Sequence, residues 1–155
     1  MRFILAGQPN SGKSTIFSLL LRFHDPTHGR VLLDGHDLRD LRLSDLRRAL
    51  AVVPQEIFLF DGTVGDNIRY GRLDASDAEV EEAARLVGAH AFVTAMEKGY
   101  DSEVGEGGNR LSTGQKQLVS FARAVLADPQ VLVMDEATSS VDTETERRIQ
   151  AGLRR

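Results

Sequence analysis

Short apolar runs alternate with amphipathic segments along this sequence. Three runs, residues 3–6, Leu50–Val53 and Val131–Met134, have the length and aliphatic content of buried strands. Pro54 ends the second run because proline lacks the N–H that a strand ladder requires. Residues 29–35, with a glycine at each end, predict a further strand and turn.

Helical periodicity occurs in three stretches between these runs, with apolar positions three and four residues apart as expected for one buried face. Ser76 and Glu79 form a capping-box pattern at the start of the second stretch, and Asp128-Pro129 ends the third. The positions at helical spacing are Ile16, Leu19, Leu20 and Phe23, then Val80, Ala83, Ala84 and Val87, and finally Leu118, Phe121, Ala122, Val125 and Leu126. Strands that alternate with helices predict an α/β fold with a mostly parallel sheet flanked by helices.

Composition narrows the class of protein. A chain of 155 residues, 41% hydrophobic and 27% charged, is expected to form one soluble domain. Its net charge of −4 argues against nucleic acid as a partner, and the lack of cysteine excludes disulfides and thiolate metal sites. The apolar runs are shorter than the ~20 residues that span a bilayer, and only six residues precede Gly7, so we expect neither a membrane span nor a signal peptide in this sequence.

Two polar features of the sequence are not interpreted as functional sites. Residues 37–48 are rich in charge and predict a solvated surface. Histidines are scattered along the chain, so we expect no metal site independent of nucleotide. They are His24, His28, His36 and His90.

A phosphate-binding-loop pattern lies between the first predicted strand and the first predicted helix. Its backbone N–H groups and the positive end of the helix would hold phosphates, with Lys13 adding a charge and Ser14 a hydroxyl for Mg²⁺. The alternative is an ordinary glycine turn before a helix. The motif comprises Gly7, Gln8, Pro9, Asn10, Ser11, Gly12, Lys13, Ser14 and Thr15.

Two carboxylates, Asp135 and Glu136, follow the last apolar strand. Alternation along a strand sends them to opposite faces, so that Asp135 can hold Mg²⁺ through water while Glu136 accepts a proton from the attacking water. A solvated strand end is the alternative, and the phosphate-loop pattern favours the catalytic interpretation.

Leu111, Ser112, Thr113, Gly114 and Gln115 open the third predicted helix. Ser112 occupies the expected cap position, and Gly114 would let a ligand approach the backbone closely. Local physics alone favours an ordinary helix cap over an anion site at this position.

Together these residues resemble the ATP-binding domain of ABC transporters, over almost the whole chain. Residues 7–15 are similar to Walker A, Gln55 to the Q-loop glutamine, residues 111–115 to the family signature, 131–136 to Walker B and 139–142 to the D-loop. Residues 58–64 with Asn67-Ile68, and residues 102–108, resemble the exporter branch. The resemblance implies a P-loop NTPase core (1–55 and 129–155) and an inserted helical subdomain (56–128) that carries the signature.

It also implies function, site residues and partners. ATP and Mg²⁺ would be the cofactors, with Glu136, Lys13 and Gln55 catalytic and Ser14, Gln55 and Asp135 at the metal. A second such domain would pair head to tail, covering the nucleotide with Ser112, Thr113, Gly114 and Gln115, and Asp142 would lie at the seam. A transmembrane domain, expected N-terminal in the intact protein, would hold the assembly at the cytoplasmic face of the membrane.

Several departures from the family pattern modify this expectation. Asn10 stands in place of a glycine, which asparagine can replace because it tolerates the left-handed conformation, and Thr113 replaces the middle glycine of the signature. The chain's two tyrosines, Tyr70 and Tyr100, lie far from the place of the family's adenine-stacking aromatic, and no histidine follows Glu136 as the switch. A truncated domain that binds nucleotide without hydrolysing it is therefore the alternative.

Other NTPase classes fit less well. The loop also resembles that of some small GTPases, but the sequence contains neither Asn-Lys-x-Asp nor Asp-x-x-Gly. A soluble ABC ATPase of DNA repair or translation would be expected to carry coiled coils, and no heptads occur.

Overall fold

The structure is a computed structural model that describes residues 3–5, 13–54 and 56–134. Five strands, six α-helices and three 3₁₀ turns lie in these ranges. The strands are β1 (Phe3–Leu5), β2 (Leu32–Leu33), β3 (His36–Asp37), β4 (Leu50–Val53) and β5 (Val131–Met134). The helices are α1 (Lys13–Leu20), α2 (Leu43–Ala49), α3 (Val64–Arg69), α4 (Asp77–Leu86), α5 (His90–Ala95) and α6 (Thr113–Leu126).

The main sheet is parallel, with β5 between β1 and β4. Leu5 pairs with Val133 and Val53 with Met134, so the three strands end beside one another. Parallel neighbours require crossover connections, and the chain supplies them with helices. The predicted strands are confirmed, and a parallel sheet with helical connections agrees with the expected α/β class.

Both faces of this sheet are covered. Leu132 belongs to a hydrophobic cluster built mainly by α3, α4 and α6, whereas its neighbours Val131 and Val133 belong to a second cluster with Phe17 of α1 and Leu46 of α2. Alternation along β5 therefore separates two apolar layers, which explains why the strand is apolar at every position.

The first helix differs from its prediction. α1 ends at Leu20, and Arg22 has a φ of 53°, the left-handed conformation that often follows a helix. Phe23 is consequently 63% exposed, and Ile16 is 43% exposed, although helical spacing places both on the apolar face. Among the described side chains of α1, Phe17 is the buried one, and it does not belong to the predicted apolar face.

The prediction of a solvated surface over residues 37–48 was also wrong in part. Leu38 and Leu46 of this stretch are only 3% and 1% exposed, because a 3₁₀ turn and α2 direct them into the second cluster. Its charged residues from Arg39 to Arg48 are exposed, whereas Asp37 is partly buried. Arg22 fastens the segment to the end of α1 by donating to the carbonyl oxygens of Leu38 (3.0 Å) and Leu41 (3.3 Å).

A two-residue turn joins β2 to β3. Asp34 and Gly35 have φ angles of 49° and 84°, the paired positive values of a type I′ hairpin turn. The predicted strand and turn over residues 29–35 are thus present, although the strand is only two residues long.

The two longer helical predictions are confirmed. α4 begins with the capping box of Ser76 and Glu79, and α6 ends just before Asp128. The predicted core positions of α4 are buried, while Leu118 and Val125 of α6 are partly buried against the first cluster. Within the described ranges, no helix is long and apolar enough to cross a membrane.

Candidate nucleotide site

The carboxyl ends of β1, β5 and β4 define one edge of the parallel sheet. Residues that follow these strands in the chain start from the same edge, which is where open α/β sheets bind their ligands. The phosphate-loop pattern follows β1, Asp135 and Glu136 follow β5, and Gln55 follows β4 after Pro54. Strand order thus brings the starting points of three sequence motifs together, although the motifs are far apart in the chain.

Part of the predicted site lies outside the described residues. This part consists of Gly7, Gln8, Pro9, Asn10, Ser11, Gly12, Gln55, Asp135, Glu136 and Asp142. Lys13 and Ser14 are placed by their backbone in the first turn of α1, and Thr15 in the same turn is exposed.

The start of α1 suits an anion. No acidic residue lies in its first turn, so no carboxylate there neutralises the positive end of the helix dipole. α4 provides the contrast, because Asp77 and Glu79 occupy its first turn and already satisfy that end of the helix. Acidic side chains therefore occupy the first turn of α4 and are absent from that of α1.

The signature segment, residues 111–115, opens α6 with a capping box. The Ser112 hydroxyl accepts a hydrogen bond from the Gln115 N–H (3.2 Å), and Gln115 Oε1 accepts one from the Ser112 N–H (3.0 Å). The ordinary cap that local physics favours is therefore formed. Its first turn contains no acidic residue either.

This helix start is also open. Ser112, Thr113 and Gly114 are exposed, and a Cβ added to Gly114 would find no atom within 4 Å. Gly114 has no left-handed φ and no close neighbour in the described chain that would demand glycine. Among the described residues, the helix start is therefore open to a group from outside this chain, and Thr113 beside it is exposed.

The structure joins the two exporter-like segments that the sequence presents separately. The Val64 N–H donates to the Ser102 carbonyl (2.9 Å), and the Val104 N–H donates to the Gly62 carbonyl (3.0 Å). Thr63 and Glu103 form an isolated antiparallel bridge between them. The two motifs therefore form one local unit beside the start of α3.

Asn67, which is buried, and Arg123, which is half-buried, form a polar cluster that the sequence interpretation missed as a site. Asn67 is 1% exposed and donates through Nδ2 to the carbonyl oxygens of Phe60 and Thr63, both at 2.9 Å. Its Oδ1 accepts from the Phe60 N–H (2.9 Å) and from Arg123 (3.0 Å). The available signal was a single arginine among the apolar residues at the end of α6, Phe121–Leu126.

Neither tyrosine lies at the strand ends. The Tyr70 ring stacks on Phe60 with centroids 4.2 Å apart, and the Tyr100 hydroxyl lies 2.9 Å from Nδ1 of His90. Burial raises the pKa of Tyr100. Both rings therefore already have partners within the helical part of the chain.

Comparison with known proteins identifies the family. The family model for the ABC transporter matches residues 1–139. The ABC transporter ATP-binding protein YfiC of Bacillus subtilis is 52% identical over 149 residues, and the ATP-dependent lipid A-core flippase of Yersinia pestis is 53% identical over 150 residues. Each alignment covers 96% of this chain but only 25% and 26% of those proteins.

A solved structure of a bacterial Atm1-family ABC exporter with ATP bound matches with a TM-score of 0.88 and 46% identity, over 99% of this chain and 26% of the exporter chain. The chain belongs to the ABC transporter family. Its fold is that of the P-loop ABC ATPases, the ATP-binding part of that family. It spans about a quarter of the length of these relatives.

Proposed function

We propose that this chain is the ATP-binding and ATP-hydrolysing part of an ABC exporter, in which ATP-driven dimerisation powers transport across a membrane. The observation that carries the proposal is the common sheet edge, where β1, β5 and β4 end side by side and the phosphate-loop, carboxylate and glutamine motifs begin. Family membership supplies the class of nucleotide.

The residues divide into roles by chemistry. Residues 7–15 hold the phosphates with their backbone N–H groups, and Lys13 places a positive charge on them. Ser14, Gln55 and Asp135 are oxygen donors suited to Mg²⁺, which prefers carboxylate, hydroxyl and amide oxygens with water. Glu136 accepts the proton of the water that attacks the terminal phosphate, and with Lys13 and Gln55 it forms the catalytic set.

A second ABC domain, identical or different, completes the site. Its Ser112, Thr113, Gly114 and Gln115 would cover the nucleotide held by this chain, and Asp142 would lie at the seam. The open, acid-free start of α6 supports this arrangement, because backbone N–H groups at an exposed helix start favour a phosphate brought by another molecule.

The remaining partner is a transmembrane domain, which would keep the chain peripheral at the cytoplasmic face of the membrane. A groove between β4 and α6, lined by Pro54, Phe58 and Phe60 among others, supports this partner. Phe58 is 63% exposed there, and exposed aromatic side chains are typical of interaction surfaces. The names of the relatives, a lipid A-core flippase and an Atm1-family exporter, point to the export direction.

The domain division follows from the same proposal. Residues 1–55 and 129–155 form the nucleotide core, and residues 56–128 form an inserted helical subdomain that carries the signature. The run of helices α3 to α6 between β4 and β5 supports it. Val53 and Leu132 share a cluster with those helices, so the two parts meet through apolar contacts with the sheet.

Phosphate release from MgATP and MgGTP by the purified chain, with nucleotide binding recorded in the same samples, tests this function. Glu136→Gln is the informative variant, and Glu82→Gln is its matched control because Glu82 is an exposed carboxylate on α4. We expect ATP-selective release that only Glu136→Gln abolishes. Binding without release would favour the alternative of a truncated domain that does not hydrolyse ATP, and no binding would refute the proposal.

A further inference from the structure

The 56–63 segment, which follows Gln55 and leads into α3, contains no helix or strand. Its backbone polar groups must therefore find partners elsewhere. Asn67 of α3 binds both the N–H and the carbonyl oxygen of Phe60, each at 2.9 Å. Arg123 of α6 donates to the carbonyl oxygen of Phe58 at 3.3 Å. Two helices therefore hold residues 58–60 of the segment, while its last residues, Gly62 and Thr63, pair with residues 103–104.

Arg123 joins these helices to each other as well. Its Nε donates to the backbone carbonyl of Asn67 (2.8 Å), and a terminal nitrogen donates to Oδ1 of the same residue (3.0 Å). The guanidinium also lies 5.4 Å from the centre of the Phe60 ring. One planar side chain therefore contacts α3, the 56–63 segment and an aromatic ring, an arrangement that the rigid donor fork of arginine allows and a lysine ammonium does not.

Close packing reinforces the junction. A Cβ on Gly71, just beyond α3, would overlap the carbonyl oxygen of Arg123, so the backbones of the two elements approach as closely as glycine permits. Burial lowers the pKa of Arg123, whose described hydrogen bonds go to neutral oxygens. Arginine nevertheless stays charged over the working pH range, so a change of pH within that range does not remove its hydrogen bonds.

We propose that Arg123 is a positioning residue that fixes the 56–63 segment to the signature helix, so that the chain leaving Gln55 and the helix beginning at Ser112 move as one body. The functional meaning of this link rests on the proposed function, in which Gln55 senses bound nucleotide and Ser112 covers the nucleotide of a partner domain. Movement at either end is then transmitted through Arg123, at the opposite end of α6 from Ser112.

Native-state hydrogen exchange of the purified chain tests the link without requiring catalysis. The variants are Arg123→Met, which removes all the donors, Arg123→Lys, which keeps the charge without the fork, and Arg85→Met as control, since Arg85 pairs with Glu81 on the surface of α4. We expect amides of residues 58–63 to exchange on the order of tenfold faster in Arg123→Met, while those of α6 change less than about twofold. Arg123→Lys should lie between, and Arg85→Met should match the unmodified chain.

Kinetics in the same samples separate positioning from general stability. Arg123→Met should lower kcat for phosphate release on the order of tenfold, with the ATP Kd within about twofold, because the link aligns groups without holding the phosphates. Equal acceleration of exchange in both segments, unchanged exchange, or a parallel loss of binding and turnover would overturn the proposal. If the unmodified chain neither binds nor hydrolyses ATP, the proposed function fails, and the exchange pattern alone decides the link.

Discussion

Ser112 and Gln115 bind each other's backbone N–H groups at the exposed start of α6, at 3.2 Å and 3.0 Å. The sequence left two interpretations of this segment open, a helix cap and a phosphate contact. The geometry shows that the first is fulfilled within the chain, and the exposure of Ser112 leaves the second open. The two roles make different demands on the side chain and can be separated experimentally.

A second serine cap in the same chain serves as the control for separating the two roles of Ser112. Ser76 and Glu79 form the same capping box at the start of α4, but of the four α-helices between β4 and β5 only α6 carries the signature. Ser112→Ala and Ser76→Ala should each lower the free energy of unfolding by about 1 kcal/mol, the usual value of a lost N-cap. Denaturant titration of both variants measures this.

Phosphate release then distinguishes the two serines. Ser112→Ala should reduce release about a hundredfold, the scale of losing one donor to a charged oxygen in an active site, whereas Ser76→Ala should leave it unchanged. Equal release by the two variants would show that Ser112 is only a cap.

Gly114 provides a prediction in which stability and activity move in opposite directions. It lies inside α6 with open space where a Cβ would be, so Gly114→Ala should stabilise the chain by roughly 0.5–1 kcal/mol through lost freedom of the unfolded state. The same methyl group should obstruct the close approach of a partner's nucleotide and lower phosphate release. Thermal unfolding and the release assay measure the two effects.

Gly71→Ala is the contrasting variant. Its Cβ would overlap a backbone oxygen of α6, so this substitution should destabilise the chain although the residue has no proposed contact with nucleotide. Loss of stability in Gly114→Ala, or unchanged release, would contradict the assignment of Gly114 to a surface that receives a ligand.

The sequence predicted those parts of the fold that local pattern encodes. Val80, Ala83 and Ala84 repeat on one helical face of α4 and are buried, because a single amphipathic helix shows its core side in its own spacing. The order of strands in the sheet was not available from such spacing, since it depends on contacts between residues 3–5 and 131–133 that are distant in the chain.

The errors have local physical causes. Phe23 fits the period of α1 but follows Arg22, whose left-handed backbone takes the chain out of helical phase. Arg123 lies outside the apolar face that the spacing of α6 predicts, and the fold satisfies it with carbonyl oxygens of other elements. Such a partner cannot be read from periodicity, because the pairing spans 56 residues of sequence.

Asp37 provides a test of local electrostatics. Its carboxylate accepts hydrogen bonds from the Arg39 side chain (3.0 Å and 2.7 Å) and from the Arg39 N–H (3.0 Å). The Arg39 side chain first, and its N–H second, lower the pKa of Asp37 from 3.8 to about 2. Because the folded value is the lower one, the carboxylate's contribution to stability is complete above pH 3.8 and is lost as pH falls toward 2.

Carboxyl-carbon NMR titration measures this pKa. In Arg39→Met we expect the pKa of Asp37 to rise but to stay below 3.8, since the backbone N–H of residue 39 still donates. Arg42→Met removes a neighbouring exposed pair with Asp45 and should leave the pKa of Asp37 where it is. An unchanged value in Arg39→Met would refute the assigned cause.

Asn67→Leu should be among the most damaging substitutions in the helical part of the chain. The leucine is similar in size but cannot bind the N–H and carbonyl of Phe60, the carbonyl of Thr63 or the guanidinium of Arg123, which would stay buried or half-buried without that partner. A buried polar group left without a partner costs about 1–3 kcal/mol, so a loss of about 3 kcal/mol in the free energy of unfolding is expected. Gln130→Leu, at an exposed amide before β5, should change the same quantity by less than about 0.5 kcal/mol. If urea titration gave similar small values for both, the hydrogen bonds of Asn67 would not be what orders the 56–63 segment.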